Sequence, residues 1–419
     1  MKKSKILAIL LVMVMAFTFA AACADDEPED VTLRFAVWDI EMVAYYAPLI
    51  EAYKEIAPHV TIEMVDLGAS DYENILQTQL MGGASGYDLI KVRGIPQYVN
   101  NTNADLLLAL DSFLPDSDID LANYRGMPEQ HMRGGPLYAL PFRSDFWVIY
   151  YNKDIFDAAN VAYPNNQMVF EDWVQIIKDV TSGDGADKVF GNHFHTWRST
   201  TTLFGILDGV TDIGMPPYGW MQRYYDAVIE LEDGGFVPRR SDNQAGSIHH
   251  RMKWAPQEVA QVNMGTWFMA ENNDNLWEFN WGMAAYPVPS AAHYGSTFGN
   301  VTQLSIPRTS ENAQEAFNFI AFVCGEEGAK ILASVGQFPA FMTDEALNII
   351  TSNSWFPTDA QSRAALQPSR VFLELPIVEE AGEIDGILNE AHQEIMDRTM
   401  SVADAIAMME TRVNQLLGR

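Results

Sequence analysis

Trp267 is the side chain best suited to hold a flat ligand. It follows Val262–Gly265, where the pattern predicts that a strand ends and a helix begins. Gly265 lets the backbone turn there, so the indole could lie along the apolar C–H face of a pyranose ring. An aromatic plate buries a large area and fixes orientation without a charge. The competing interpretation is a tryptophan packed in the core.

Three polar residues, Arg143, Ser144 and Asp145, follow a proline between two expected strands. Leu137–Leu140 is predicted to form the first strand, and Pro141 to break it. The second strand has alternating apolar positions from Phe146 to Tyr150. A backbone that crosses from one packed unit to another would have this form, and its strand end could direct polar groups into a cleft. An ordinary strand–loop–strand is the simpler alternative.

Strands and helices alternate at the start of the chain. Strands are expected at Val31–Val37, Thr61–Val65 and Leu89–Val92, with an amphipathic helix before the second strand and a helix at Tyr72–Met81 before the third. This order predicts a parallel sheet with crossover helices. Ligands gather at the carboxyl ends of such strands, and these ends carry Trp38, Asp39 and Arg93.

Further candidates lie in the middle of the chain. Trp197 and Trp281 could serve as aromatic plates, although packing is the competing role for both. Asn300 follows Gly299 on a segment that returns after Pro287–Pro289, and its amide could both donate and accept across a cleft.

Four histidines raise the question of a metal. His193 and His195 could share one strand face, and His249 and His250 are adjacent. Because no carboxylate or cysteine completes a recognisable ligand spacing, we expect no metal site. The sequence also lacks the signature motifs of metalloproteases, serine hydrolases, and phosphate- or dinucleotide-binding sites. We therefore expect no cofactor and no enzymatic function.

Composition narrows the class of protein. A chain of 419 residues is too long for one ordinary core, so two lobes are expected. Apolar residues make up 48% of the chain, which supports full folding. The net charge of −30 argues against nucleic acids and anionic membrane surfaces as partners. A solvated acidic surface explains this charge without requiring a cationic ligand.

The N-terminus has the pattern of a secretion signal. Lysines at the start precede the apolar run Ile6–Ala20 and the small residues Ala20–Ala22. Cys23 comes next, which resembles a bacterial lipobox and implies a lipid attached to this cysteine. The usual leucine three residues before the cysteine is replaced here by Ala20, and a plain secreted protein is the alternative.

The ordered set of motifs resembles the carbohydrate-binding family of extracellular solute-binding proteins that serve ABC importers. In the family pattern, LPF, YYNKDLF and TWDE follow one another; this chain has LPF, YYNKDIF and FEDW at 140–142, 150–156 and 170–173. Tyr87–Ile90, Met264–Trp267, Gly336–Ala340 and Ser401–Ala405 match further family marks. The resemblance spans nearly all of the chain after the signal.

The resemblance implies a periplasmic-binding-protein-like (type II) fold, in which two α/β lobes joined by a hinge enclose a ligand cleft. With the expected crossings, it predicts a signal peptide at 1–22, a tether at 23–30, a first lobe at 31–141 and 296–342, and a second lobe at 142–295 and 343–419. It also implies that Trp267 stacks on sugar and that Asp145, or alternatively Ser144, bonds sugar hydroxyls.

The function implied is capture of a sugar by closure of the lobes and delivery to a membrane permease. The protein would be a monomer outside the cytoplasm, anchored to the bacterial membrane through Cys23. The predicted contacts are Trp38, Asp39, Arg93, Ser144, Asp145, Trp197, Trp267 and Asn300. One alternative is the same fold binding a polyamine, an organic acid or another polar solute. Another is a secreted polysaccharide-degrading enzyme, which would need two carboxylates facing each other at roughly 5–9.5 Å.

Overall fold

The structure is a computed structural model that describes residues 28–68, 71–83, 86–124, 126–132, 135–272, 276–375 and 378–419. The predicted signal peptide, Cys23 and most of the predicted tether lie outside these residues. Among the helices that are described, none combines the length and the apolar character that a membrane span needs.

The first lobe begins with a parallel sheet. Strand β1 (Val31–Val37) lies between β2 (Val60–Asp66) and β3 (Leu89–Val92). Helix α1 (Tyr46–Ile56) connects β1 to β2, and helix α2 (Tyr72–Met81) connects β2 to β3. Apolar side chains of β1 and β3 are almost wholly buried, because crossover helices cover a parallel sheet. The predicted strand–helix alternation is confirmed.

A single long strand, β4 (Leu140–Asn152), links the two lobes. The expectation that Pro141 breaks this segment into two strands is wrong. Pro141 is the second residue of β4, and a shift of register follows between Pro141 and Arg143. The ring of proline cannot donate to the sheet, so it is tolerated at a strand start or a bulge. The strand therefore bends after Pro141 and continues.

Two sheets share β4. Its first part pairs with β7 (Ser296–Ser305), which also pairs with β3 and with β8 (Arg370–Leu373). Its second part pairs with β5 (Gln261–Gly265) and β6 (Trp281–Ala285). The sheet consequently curls from one lobe into the other along β4.

The chain returns from the second lobe to the first lobe through β7. Val288 still packs in the second lobe, since its backbone N–H donates to the carbonyl of Met168 at 3.1 Å and it is 1% exposed. The chain therefore crosses slightly later than predicted from Pro287–Pro289. It joins the first sheet from Ser296 onward.

Helices fill the rest of both lobes. In chain order they are α3 (Ile95–Asn103), α4 (Met127–Met132), α5 (Lys153–Ala159), α6 (Phe170–Val180), α7 (Ser199–Thr202), α8 (Gln222–Asp233), α9 (Arg240–Ala245), α10 (His250–Trp254), α11 (Ala313–Cys324), α12 (Glu326–Ser334), α13 (Asp344–Thr351), α14 (Ala360–Ala365), α15 (Ala381–Met396) and α16 (Val402–Leu416). Ser401 caps α16 as predicted, because its hydroxyl accepts from the backbone N–H of Asp404.

Separate hydrophobic cores support the two lobes. The second-lobe core is built around buried aromatic rings such as Trp173, Phe204 and Tyr225, and it includes the apolar faces of α15 and α16. The first-lobe cores lie on the two sides of the β1–β3 sheet. Phe146 and Phe338 contact each other edge to face at 4.8 Å where β4 leaves the first lobe. The predicted α/β fold is confirmed, and the residue boundaries of its two lobes stay a prediction.

Candidate functional site

A cavity of about 650 Å³ lies where β4 passes from one sheet to the other. Its wall combines three tryptophans with polar groups: Trp147, Trp197, Trp267, Asp145, Asn300 and Glu374. The lining is mixed, because the tryptophan rings lie among many polar and charged side chains. A concave site in which aromatic and polar groups converge is a usual form of a small-molecule site.

The register of β4 sets the positions of these residues. Asp145 pairs with Asn300 of β7, and Trp147 pairs with Gly265 of β5. Asp145 and Trp147 are two residues apart on one strand, so their side chains lie on the same face of the sheet. The transition between the two sheets thus brings the polar pair and the aromatic group to one place.

Trp267 lies in a short 3₁₀ helix, Thr266–Asn272, that begins directly after β5, as predicted. Its half-buried indole folds back over Gly265. A β-carbon at position 265 would lie only 2.4 Å from Nε1 of Trp267. Glycine is therefore required here to make room for the ring rather than for an unusual backbone angle.

Trp197 completes the aromatic wall. Its side chain is 40% exposed, and its ring meets Trp267 at 6.2 Å with an angle of 62° between the planes. The imidazole of His195 stacks on the Trp197 ring, with 3.7 Å between the ring centres. Trp147 contacts the Trp197 ring edge to face, with 6.5 Å between the ring centres. Because several rings hold the exposed indole, it can present a defined surface to the cavity.

Asp145 is held by two donors. A guanidinium N–H of Arg143 donates to Oδ2 at 2.8 Å, and the hydroxyl of Thr266 donates to Oδ1 at 3.1 Å. A carboxylate has about four acceptor positions, so Asp145 keeps acceptor capacity for ligand hydroxyls. Asn300, opposite it in the register, is exposed and accepts from the N–H of Val301 through Oδ1.

Sequence reasoning missed a second charged group in the wall. Arg198 is 4% exposed and donates to Asp385 at 2.7 Å, while its Nε and Nη1 have no hydrogen-bond partner among the described residues. Glu374 follows β8. Burial raises the pKa of Glu374, although hydrogen bonds from Ser199 and Trp147 and the charge of Arg198 oppose this rise. These residues lie in loops and short helices, where neither periodicity nor a motif marks them.

Three predicted contacts form a separate group in the first lobe. Trp38 and Asp39 follow β1, and Arg93 follows β3, so all three lie at carboxyl ends as expected. The ammonium of Lys91 lies 3.5 Å from the ring centre of Trp38, and the guanidinium of Arg93 lies 4.6 Å from it. This group, called the first-lobe wall below, is not part of the cavity lining. Gly94 touches the side chain of Asn300, with 3.3 Å between a β-carbon placed there and Nδ2, so the wall adjoins the cavity.

Ser144 and Trp281 are placed away from the cavity. Ser144 is buried, and its hydroxyl donates to the sulfur of Met127 at 3.2 Å, on the face of β4 opposite to Asp145. Trp281 is 7% exposed and packs against Trp277 at 4.9 Å. Both side chains therefore have partners within the protein's interior.

A second depression, of about 690 Å³, lies on the first lobe alone. It is lined by ends of α1, by 113–119 and by α11, and its large side chains include Tyr53, Phe113 and Phe317. The described residues that line it include no tryptophan and none from β4 or β5. The cavity at the junction is the better candidate for a ligand that contacts both lobes.

Comparisons with known proteins agree with this architecture. The family model of bacterial extracellular solute-binding proteins matches residues 39–330. A sugar transporter from Rhizobium etli, solved in an open conformation, is 36% identical with a TM-score of 0.86, over 92% of this chain and 99% of that chain.

Two more distant structures support the fold. An ABC substrate-binding protein from Listeria monocytogenes in complex with cycloalternan is 19% identical with a TM-score of 0.75, over 93% of this chain and 98% of that chain. The sugar-binding protein MalE from Xanthomonas citri has the same TM-score and the same coverage at 18% identity. At these identities the likeness concerns the fold, and it confirms the periplasmic-binding-protein-like architecture.

Proposed function

The chain belongs to the family of bacterial extracellular solute-binding proteins, and on that premise we propose that its solute is a sugar or oligosaccharide destined for an ABC importer. The 36% identical Rhizobium etli protein is described as a sugar transporter. Family and neighbours are binding proteins, so no covalent step is part of the proposal.

The observation that carries the proposal is the pair of partly exposed indoles, Trp197 and Trp267, beside Asp145 and Asn300 in one cavity. An aromatic ring covers the apolar face of a sugar, and the hydroxyl groups at the edge of the sugar ring form charge-assisted hydrogen bonds with a carboxylate. A pyranose has an apolar C–H face and a rim of hydroxyl groups. The indoles fit the face, and the oxygens of Asp145 and Asn300 fit the hydroxyls. We propose Trp267 as the principal plate.

The proposed mechanism is closure of the lobes. The first-lobe wall adjoins the cavity without lining it, so a small movement of the lobes would bring Trp38, Asp39 and Arg93 toward a ligand held by the second lobe. A ligand that contacts both lobes binds the closed form better and shifts the population toward it. The permease of the importer would then distinguish the closed, loaded monomer from the open one.

A polyamine is the alternative solute, because a polycation would be attracted by carboxylates in the cavity wall. Three carboxylates line the cavity: Asp145, Glu374 and Asp385. Two of them are already paired, Asp145 with Arg143 and Asp385 with Arg198, each at 2.7–2.8 Å. The charge of Arg198 also acts on Glu374. This compensation disfavours a polycation and suits a neutral, hydroxyl-rich ligand.

A thermal-shift screen tests the proposal. Mono- and oligosaccharides, spermidine and organic acids would each be added to the purified protein. A sugar at 100 times its dissociation constant should stabilise the protein by about 2.7 kcal/mol. Stabilisation by spermidine or an organic acid, with no response to any sugar, would overturn the sugar assignment while leaving the family intact.

We also propose that the protein is exported and anchored outside the cytoplasm by a lipid on Cys23. The support is the sequence pattern alone, since these residues lie outside the described structure. Replacing the cysteine, Cys23→Ala, should release the protein from membranes into the soluble fraction. Wild-type protein that is already soluble and carries no acyl mass at its N-terminus would contradict the anchor.

A further inference from the structure

Four of the chain's eight histidines form one cluster behind the aromatic wall. His193 and His195 lie on the segment that follows α6, while His249 and His250 stand at the start of α10. An isolated bridge between His193 and Val262 of β5 fixes the first segment against the second-lobe sheet. The fold thus joins two histidine pairs that are distant in the sequence.

Three of these residues have the spacing of metal ligands. One ring nitrogen from each of His195, His249 and His250 lies within 4.8 Å of the other two. The ring centres of His249 and His250 are 3.7 Å apart, and His195 is 5.1 Å from His249. Zn–N bonds of about 2.0–2.1 Å in tetrahedral geometry place ligand nitrogens about 3.3 Å apart. Small rotations of the half-buried rings of His195 and His249 would close that difference.

The cluster contains ring nitrogens that the protein leaves unpaired. Among the described residues, Nδ1 of His249 and Nδ1 of His250 have no hydrogen-bond partner, although His250 is 0% exposed. Leaving a buried polar atom unpaired costs about 1–3 kcal/mol. An ion that accepts lone pairs from these nitrogens would offset this cost.

At pH 7 and above, an imidazole with its ordinary pKa of about 6.5 is mostly neutral and keeps a lone pair for a metal.

The carboxylate of Glu271 lies beside His250, where it could orient the imidazole ring of a metal-binding histidine. Oε1 of Glu271 lies 3.5 Å from Nε2 of His250 and accepts from Arg251 at 2.9 Å. Ligating histidines usually present their second nitrogen to such a carboxylate, which fixes the ring and raises its basicity. Nε2 of His250 lies toward Glu271 without a hydrogen bond to it among the described residues, so Nδ1 is the ring nitrogen on the other side of the ring that could bind a metal.

We propose that His195, His249 and His250 form a binding site for a divalent transition-metal ion, with Zn²⁺ as the ion that best fits three neutral imidazoles and one open position. His195 stacks on Trp197, and His250 lies 5.3 Å from Trp267. A bound ion would therefore fix the rings that support the aromatic wall. Its binding does not depend on the identity of the solute.

The test uses the full chain, expressed without a polyhistidine tag and treated with a chelator. Zn²⁺ is titrated by calorimetry, and Co²⁺ is added as a spectroscopic probe of tetrahedral coordination. We expect one ion per chain. His249→Ala should weaken Zn²⁺ binding by at least about tenfold, since loss of even an outer partner costs about 10- to 100-fold.

His293→Ala serves as the matched control, because His293 lies outside the cluster, and it should bind as the wild type does. His195→Gln provides a second variant should His249→Ala fail to fold, as judged by circular dichroism. No binding by the wild type, or equal binding by wild type and both cluster variants, would overturn the proposal. Weaker binding in His293→Ala would place the ion elsewhere.

Discussion

Each lobe has a tryptophan that follows a strand, Trp38 after β1 and Trp267 after β5, but the surroundings of the two differ. In the second lobe, Trp197 and Trp267 are partly exposed, contact other aromatic rings and border the cavity. In the first lobe, the ring of Trp38 is already contacted by Nζ of Lys91 and by the guanidinium of Arg93. Cation–π contacts occupy the face that a sugar would otherwise cover.

The difference shows that position at a strand end does not by itself make an aromatic plate. Trp197 and Trp267 are held by rings and border the cavity, whereas Trp38 has the side chains of Lys91 and Arg93 over its ring in addition to an edge contact with Tyr72. The second lobe should therefore provide most of the binding energy, and the first lobe should mainly complete the enclosure. The substitutions below test this division of roles.

Trp267→Ala should have the largest effect on binding. Aromatic anchors in desolvated sites carry disproportionate energy, so we expect a loss of roughly 2–4 kcal/mol, about thirty- to a thousandfold in affinity. Folding should change much less. Trp281→Ala is the matched control, because this core ring should cost roughly 3–5 kcal/mol of stability and leave affinity unchanged. Calorimetric titration and urea melts measure both, and a Trp267 variant that loses stability while keeping affinity would assign its ring to packing.

Asp145→Asn should come next. Hydrogen bonds to a charged acceptor contribute about 1.5–3 kcal/mol, so affinity should fall about ten- to a hundredfold. The change also removes the partner of Arg143, so some stability is lost. Asp359→Asn removes a similar partner from Lys153, and neither residue lies in the cavity wall, so this variant should bind the sugar normally. Equal affinities in both variants would remove Asp145 from the site.

Gly265→Ala tests the placement of the indole without deleting it. The added methyl group would lie 2.4 Å from Nε1 of Trp267, so the ring must move. We expect affinity to fall about tenfold, corresponding to about 1.4 kcal/mol, which is less than the effect of Trp267→Ala. Gly219→Ala is a fitting control, since no non-neighbouring atom of the described residues lies within 4 Å of its added carbon. Unchanged affinity in Gly265→Ala would show that the orientation of Trp267 is unimportant.

Trp38→Ala should have the smallest effect, less than about tenfold in affinity. Its ring is engaged by Lys91 and Arg93, so it offers little surface to the ligand. Titration of the same sugar provides the measurement. A loss as large as that of Trp267→Ala would make the first lobe an equal partner in binding and refute the comparison.

The sequence predicted the fold well where local signals and topology agree. The bounds of β1, α2 and β3 follow directly from apolar runs and from the glycines that end α2. Pro141 does not end a strand here, because a proline that would break an isolated strand is accommodated at a bulge within a longer one. The continuity of β4 depends on its pairing with β7. That pairing is a long-range contact, so the local sequence pattern does not predict it.

The site was predictable only in part. Trp267 and Asp145 stand in motifs, and their cavity positions follow from the register of β4. Ser144, next to Asp145, lies on the opposite face, a distinction that depends on the register. Arg198 and Glu374 enter the wall from a short helix and from the segment after β8. Their approach requires tertiary packing that neither spacing nor composition reveals.

Small-angle X-ray scattering, with and without the sugar found by the thermal screen, tests the central claim most directly. In the proposed mechanism, one ligand contacts both lobes and favours their closed arrangement. The radius of gyration should therefore decrease when the wild type is saturated, and Trp267→Ala at the same sugar concentration should keep the larger radius. A tightly bound sugar that leaves the radius of the wild type unchanged would contradict binding by closure.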